Sequence, residues 1–171
     1  EDLMHAGLFC RTKNATFKNL TMTNVNIFVK SGGNFAALAA YGQGTVFENI
    51  TVSGKVSASG AINSLGGIVG SLNGGSITKC TNNADVTVTG AISATAAGVA
   101  GRTSANSTLK NCSNSGKVSI SGPIGGGRDF RAAGVTNVAG TVISCKNTGN
   151  VSVKTSGSME GVVSLSAAGV V

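Results

Sequence analysis

Four cysteines, six carboxylates and a single histidine are the residues through which this 171-residue chain could perform covalent, acid–base or metal chemistry. The cysteines are Cys10, Cys80, Cys112 and Cys145, and no two of them form a Cys-x-x-Cys pair. A zinc site needs such a pair or several imidazoles, and His5 is the sole histidine, so neither a metal nor any other cofactor is expected. The carboxylates are Glu1, Asp2, Glu48, Asp85, Asp129 and Glu160. They are too scattered to supply the facing pair of a glycosidase or the cluster of a calcium site. With one imidazole near one end, a Ser-His-Asp triad is excluded within this chain, and the expectation is that the protein is not an enzyme.

Two other residue types recur instead of clustering. Cys80, Cys112 and Cys145 are each followed two positions later by an asparagine, Asn82, Asn114 and Asn147. An asparagine row could bind a ligand. It could equally be a ladder of stacked side-chain amides that hydrogen-bond to one another and close a turn, and this structural role is the expected one. Cysteines in parallel stacked positions suit packing as small apolar groups better than the crossed geometry of a disulfide, so Cys80, Cys112 and Cys145 are expected to be buried free thiols. Cys10 lies outside that column and is expected to be the accessible thiol.

The elements that position these residues follow from a repeat. Ala6-Gly7-Leu8-Phe9 returns as Ala36-Ala37-Leu38-Ala39, Gly66-Gly67-Ile68-Val69, Ala97-Gly98-Val99-Ala100 and Ala133-Gly134-Val135-Thr136, with a sixth start near Glu160-Gly161-Val162-Val163. The steps between second positions 7, 37, 67, 98, 134 and 161 are 30, 30, 31, 36 and 27 residues. Each start leads to a block with two apolar positions three apart: Phe17 and Leu20, Phe47 and Ile50, Ile77 and Cys80, Leu109 and Cys112, Val142 and Cys145. Then comes a period-two alternation, as in Val86-Thr87-Val88, Val118-Ser119-Ile120 and Val151-Ser152-Val153, the pattern of a half-buried strand.

These features predict an all-β, right-handed parallel β-solenoid spanning 1–171 as one domain. It should have about five rungs of roughly 30 residues, starting near 6, 36, 66, 97, 133 and 160 and stacked at ~4.8 Å, with short strands of three to five residues. The inward columns should read Leu20, Ile50, Cys80, Cys112, Cys145; Phe17, Phe47, Ile77, Leu109, Val142; Val56, Val86, Val118, Val151; and Ala58, Val88, Ile120, Val153.

Composition agrees. Gly numbers 26, Pro one, Trp none, and charged residues make up only 11% against 41% apolar, which is poor helix material but ample for a continuous core. Net charge is +7, yet the Lys and Arg residues are scattered singly without interleaved aromatics, so no nucleic-acid partner is expected. No apolar run reaches the roughly 18 residues of a membrane span, and no membrane insertion is expected. The phrases Gly66-Gly67-Ile68-Val69-Gly70 through Cys80, and Ala97-Gly98-Val99-Ala100-Gly101 through Cys112, resemble the GLUG-type repeats of large bacterial surface proteins. This resemblance implies a β-solenoid in secreted adhesins or in non-catalytic regions of surface proteases, hence a secreted or cell-surface location.

One segment breaks the rhythm. The long fourth circuit carries its excess around 122–131, with the only Pro and two of the arginines, so Arg128, Asp129, Phe130 and Arg131 are expected to form a projecting loop, for which the two readings are a simple tolerated insertion, the favoured one, and a partner-binding loop. Asn14, Asn19, Asn49, Asn106, Asn111 and Asn150 match the Asn-x-Ser/Thr pattern, a cheap match in so Asn- and Thr-rich a chain. The functional expectation is a rigid stalk or self-assembling filament subunit, stacking head to tail through uncapped solenoid ends. The alternatives are a carbohydrate-binding adhesin with a polysaccharide or cell-surface ligand, an ice-binding face built on outward Ser and Thr columns, or part of a protease.

Overall fold

A computed structural model describes residues 5–123, 129–137, 140–156 and 164–170. Among these residues every strand pairing is parallel, and strands of the middle circuits pair with those about 30 residues before and after them. The chain is therefore a parallel β-solenoid of about five turns. One full circuit comprises five walls, seen most clearly in Ala94–Ala97, Ala100–Thr103, Ser107–Lys110, Ser113–Asn114 and Val118–Pro123.

The expected columns are the observed register. Phe17, Phe47, Ile77, Leu109 and Val142 stand directly over one another on the third wall. On the fifth wall the Val56 column begins one circuit earlier, at Ile27, and the Ala58 column begins at Val29. Side chains of the middle circuits are fully enclosed, among them Phe47, Ile77, Val86, Leu109, Val118 and Ile120. Phe17 and Phe47 stack nearly parallel, 9° apart with ring centroids at 5.4 Å. Because one circuit cannot bury its own apolar face, each such column draws its stabilisation from both neighbours.

The strands are longer than their expected three to five residues in the early circuits: Thr16–Ala36 and Ala39–Gly66 run continuously through the corners. In the later circuits the strands end just before the same corner, at Thr78, Lys110 and Ile143, although the corner itself is made alike throughout. The chain bends at a single residue in the left-handed region while its neighbours stay paired, and one column of such residues runs up the solenoid: Asn19, Asn49, Lys79, Asn111 and Ser144, with φ of 55°, 54°, 54°, 55° and 51°. Asparagine is the non-glycine residue most at ease there, and Asn49 Nδ2 donates to Asn19 Oδ1 at 2.8 Å, linking two circuits. Three of the six Asn-x-Ser/Thr matches are thus accounted for as corner residues, and Asn14, at φ 49°, is a fourth bend.

Two expectations require correction. Ala133 pairs with Ala168, and Gly134 N–H donates to Ala168 O, so the sixth repeat starts at Ala168-Gly169 and not at Glu160-Gly161, which lies outside the described residues. A Gly-Val-Val phrase is too short to fix register by itself. The partner-binding loop is also smaller than expected. Gly122 and Pro123 end one strand, and Asp129–Ala133 is another, paired to Ala94–Ala97 on one side and Ser164–Ala168 on the other. Phe130 has no exposed surface, since it stacks over Ala94 and supplies the bulk which that alanine lacks. Arg128 lies outside the described residues.

Candidate functional site

Cys80 and Cys112 are buried, Cys145 is half-buried in the last full circuit, and Cys10 is exposed; all four are free thiols. Inside the column the sulfurs and backbone share hydrogen bonds: Cys112 Sγ donates to Ile77 O at 3.3 Å, and Cys112 N–H donates to Cys145 Sγ at 3.4 Å. Cys145 pulls the Cys112 thiol down by hydrogen bonding, but Cys80 and burial push it up, and the balance lies at about 12. Its hydrogen bond with Cys112, and then burial, push Cys145 up as well. These two thiols carry almost no thiolate at neutral pH, whereas the hydrogen bond with Cys112 holds the Cys80 thiol below its ordinary value and it is complete burial that keeps Cys80 from a reagent. In the folded protein a maleimide reagent should label Cys10 within the mixing time, with Cys80 and Cys112 following only on unfolding, as read by mass spectrometry. Equal rapid labelling of all four would contradict the column.

The asparagines form the expected ladder. Asn82 Nδ2 donates to Asn114 Oδ1 and Asn114 Nδ2 to Asn147 Oδ1, both at 2.7 Å. The same amides donate to Ala84 O, Gly116 O and Gly149 O at 2.7–2.8 Å, which satisfies the turn after each. Asn82 and Asn114 are fully enclosed, so this row faces the core and offers a ligand nothing. It also explains the glycine at three of the repeat starts. A Cβ on Gly67, Gly98 or Gly134 would collide with the side chain of Asn82, Asn114 or Asn147 respectively, and with a carbonyl of the next circuit. Where the ladder position is Val52, the start carries Ala37 instead.

Of the expected loop residues, Asp129 and Arg131 pair with each other at 2.8 Å on the outside of the first wall, and Phe130 points inward. They do not form a shared site. Among the described residues no group of three His, Cys, Asp or Glu could hold a metal ion, and no helix is long and apolar enough to cross a membrane.

Sequence reasoning missed the outside of the second wall. Arg11, Tyr41, Ser71 and Arg102 are register partners in consecutive circuits, and Lys13, Gln43 and Asn73 form the parallel outward column two residues on. Arg11 Cζ lies 5.4 Å from the centroid of the Tyr41 ring, His5 stacks on that ring at 5.9 Å, and Asn73 Nδ2 donates to the Tyr41 hydroxyl at 3.4 Å. Burial first, and then the Arg11 charge, hold the His5 imidazole below its ordinary value. On one side of Tyr41 a groove of about 450 Å3 is lined by Ser71, Leu72, Asn73, Arg102, Thr103 and Ser104. On the other, about 300 Å3 is lined by Arg11, Thr12, Lys13 and Gln43. The signal available in the sequence was the chain's only tyrosine, at an outward position of a strand. Compared with protein-family models, curated proteins and solved structures, the chain matches none.

Proposed function

We propose that this chain is a structural and interaction module of an extracellular surface protein, a rigid solenoid that extends by stacking end to end. The observation that supports it is the state of the two ends. Phe17, Leu20, Met22, Ile27 and Val29 in the first circuit, and Val142, Cys145, Val151 and Val153 in the last, are core columns only half covered. Among the described residues each column ends in a row of inward apolar side chains with no strand paired beyond it, the kind of surface that accepts a further circuit. The two rows match in kind: Leu20 would follow Cys145, Ile27 would follow Val151, and Val29 would follow Val153. A contact of this sort translates along the axis and does not close, so copies joined through it make a filament.

The join has a defined geometry. Ser164–Ala168 holds the same wall in its circuit that His5–Ala6 holds in the first, so a stack in register accommodates only one of the two strands and proceeds by strand exchange. The resemblance to GLUG-type repeats fits a surface stalk. Light scattering across a wide concentration range, with negative-stain microscopy, tests the reading: the protein should lengthen into filaments as concentration rises. Leu20→Lys should keep it monomeric, because a lysine at the open end reaches water past the edge but would be buried without a partner in a stack. A wild-type protein that stays monomeric throughout overturns the proposal.

An ice-binding face gains no support from the fifth wall. Its Ser57, Thr87, Ser119, Ser152 column is preceded by Phe28, Ser57 Oγ donates to Ile27 O at 2.8 Å, and the neighbouring column ends in Lys30 and Lys154.

A further inference from the structure

The second wall carries a feature that end-to-end stacking does not use. Tyr41 and Arg102 stand in one outward column with the small Ser71 between them. Their backbones are two strand spacings apart, about 9.6 Å. Atoms in contact sit ~3.5–4 Å apart, so two side chains standing out from the wall at that backbone spacing leave room for one ring between them. Ser71, Asn73 and Ser104 supply hydroxyl and amide groups around it, and Leu72 and Thr103 complete the lining. The Tyr41 ring is held from the opposite side by Arg11 and His5 and at its hydroxyl by Asn73, so its stacking face is fixed before any ligand arrives.

The charge in this region has one sign. Arg11, Lys13 and Arg102 are exposed and make no ion pair among the described residues, whereas Lys18 is paired with Glu48 and Arg131 with Asp129. No carboxylate lines either groove. Three unneutralised cations around an aromatic ring attract an anion and orient it.

We infer that the Tyr41–Arg102 slot binds one acidic sugar unit of a polysaccharide, its ring stacked on Tyr41 and its carboxylate or sulfate on the Arg102 guanidinium. A chain running along the solenoid axis would then pass its next acidic group over the Arg11 and Lys13 groove on the other side of the ring. Single-stranded nucleic acid is the less suitable occupant, because it is held by successive aromatic platforms, and the second wall offers one.

Isothermal titration of the full chain with galacturonate, alginate and heparin tetrasaccharides tests the inference, with cellotetraose as neutral ligand and a thymidine tetranucleotide as the alternative anion. At least one acidic tetrasaccharide should bind more tightly than both comparison ligands. Tyr41→Ala and Arg102→Gln should each weaken it by about tenfold or more. Tyr41→Phe should retain binding, because the stacking face remains, and Lys154→Gln on the fifth wall should leave it unchanged. The melting temperature of each variant reports that it is folded. Failure of all three acidic sugars to bind would overturn the inference, as would tighter binding of cellotetraose or the tetranucleotide. So would equal losses in Lys154→Gln and Arg102→Gln, which would mean general charge attraction.

Discussion

Val118→Asp is expected to destabilise the protein by more than about 4 kcal/mol, enough to remove the cooperative melting transition of a marginally stable domain. Val118 has no exposed surface and lies between Val86 and Val151 in the register. A carboxylate there has no cation or donor within the core, and charge burial without a partner is among the most costly single changes known. The neighbouring position provides the control. Ser119 points outward between Thr87 and Ser152, so Ser119→Asp should fall within about 0.5 kcal/mol of wild type. Thermal melting followed by circular dichroism reads both. Since a strand alternates faces with period two, a one-residue slip in register would reverse the two results. Equal melting temperatures for the two variants would refute the register.

Asn114→Ala is expected to cost about 3 kcal/mol, more than the removal of an ordinary surface amide. The side chain donates to both Gly116 O and Asn147 Oδ1 and accepts from Asn82 Nδ2, and each enclosed partner left without a bond costs roughly 1–3 kcal/mol. Asn114→Asp should be worse at neutral pH, because it keeps the shape but turns both donors into acceptors facing oxygens at 2.7 and 2.8 Å. Burial and those acceptors raise its folded pKa above the unfolded value near 3.9. Its loss of stability should therefore be smallest below about pH 4 and grow as pH rises. Replacing Asn82, Asn114 and Asn147 together by Val should cost less than three times the single change, because partners removed together leave fewer orphans. Val52 already occupies this column in the second circuit. Denaturant melts of the single and triple variants decide it: strict additivity would mean that the ladder does not act as a unit.

Surface chemistry and core architecture were legible in the sequence to different degrees. The sequence by itself determined the solenoid, its spacing and its inward columns, because a residue in a repeat circuit meets its own equivalents, and self-similarity at about 30 residues therefore states the contacts directly. It also determined the Cys and Asn ladders, since equivalent positions in successive circuits must stack. What the tertiary structure decided is whatever depends on different positions meeting across a circuit. The glycine of the repeat start and the asparagine fifteen or so positions later come together only when the turn folds back, so neither explains the other along the chain. Phe130 was read as part of a loop, because its place is set by the space above Ala94, which register alone reveals. The sixth start was misplaced for the same reason: Gly-Val-Val recurs easily, and pairing of Ala133 with Ala168 is what chooses between candidates. The Tyr41–Arg102 slot was invisible because Tyr41, Ser71 and Arg102 share no residue type, and outward positions carry no packing constraint that would make them alike. Such positions become a site only when the stacking distance places an aromatic ring and a guanidinium on either side of a gap one sugar wide.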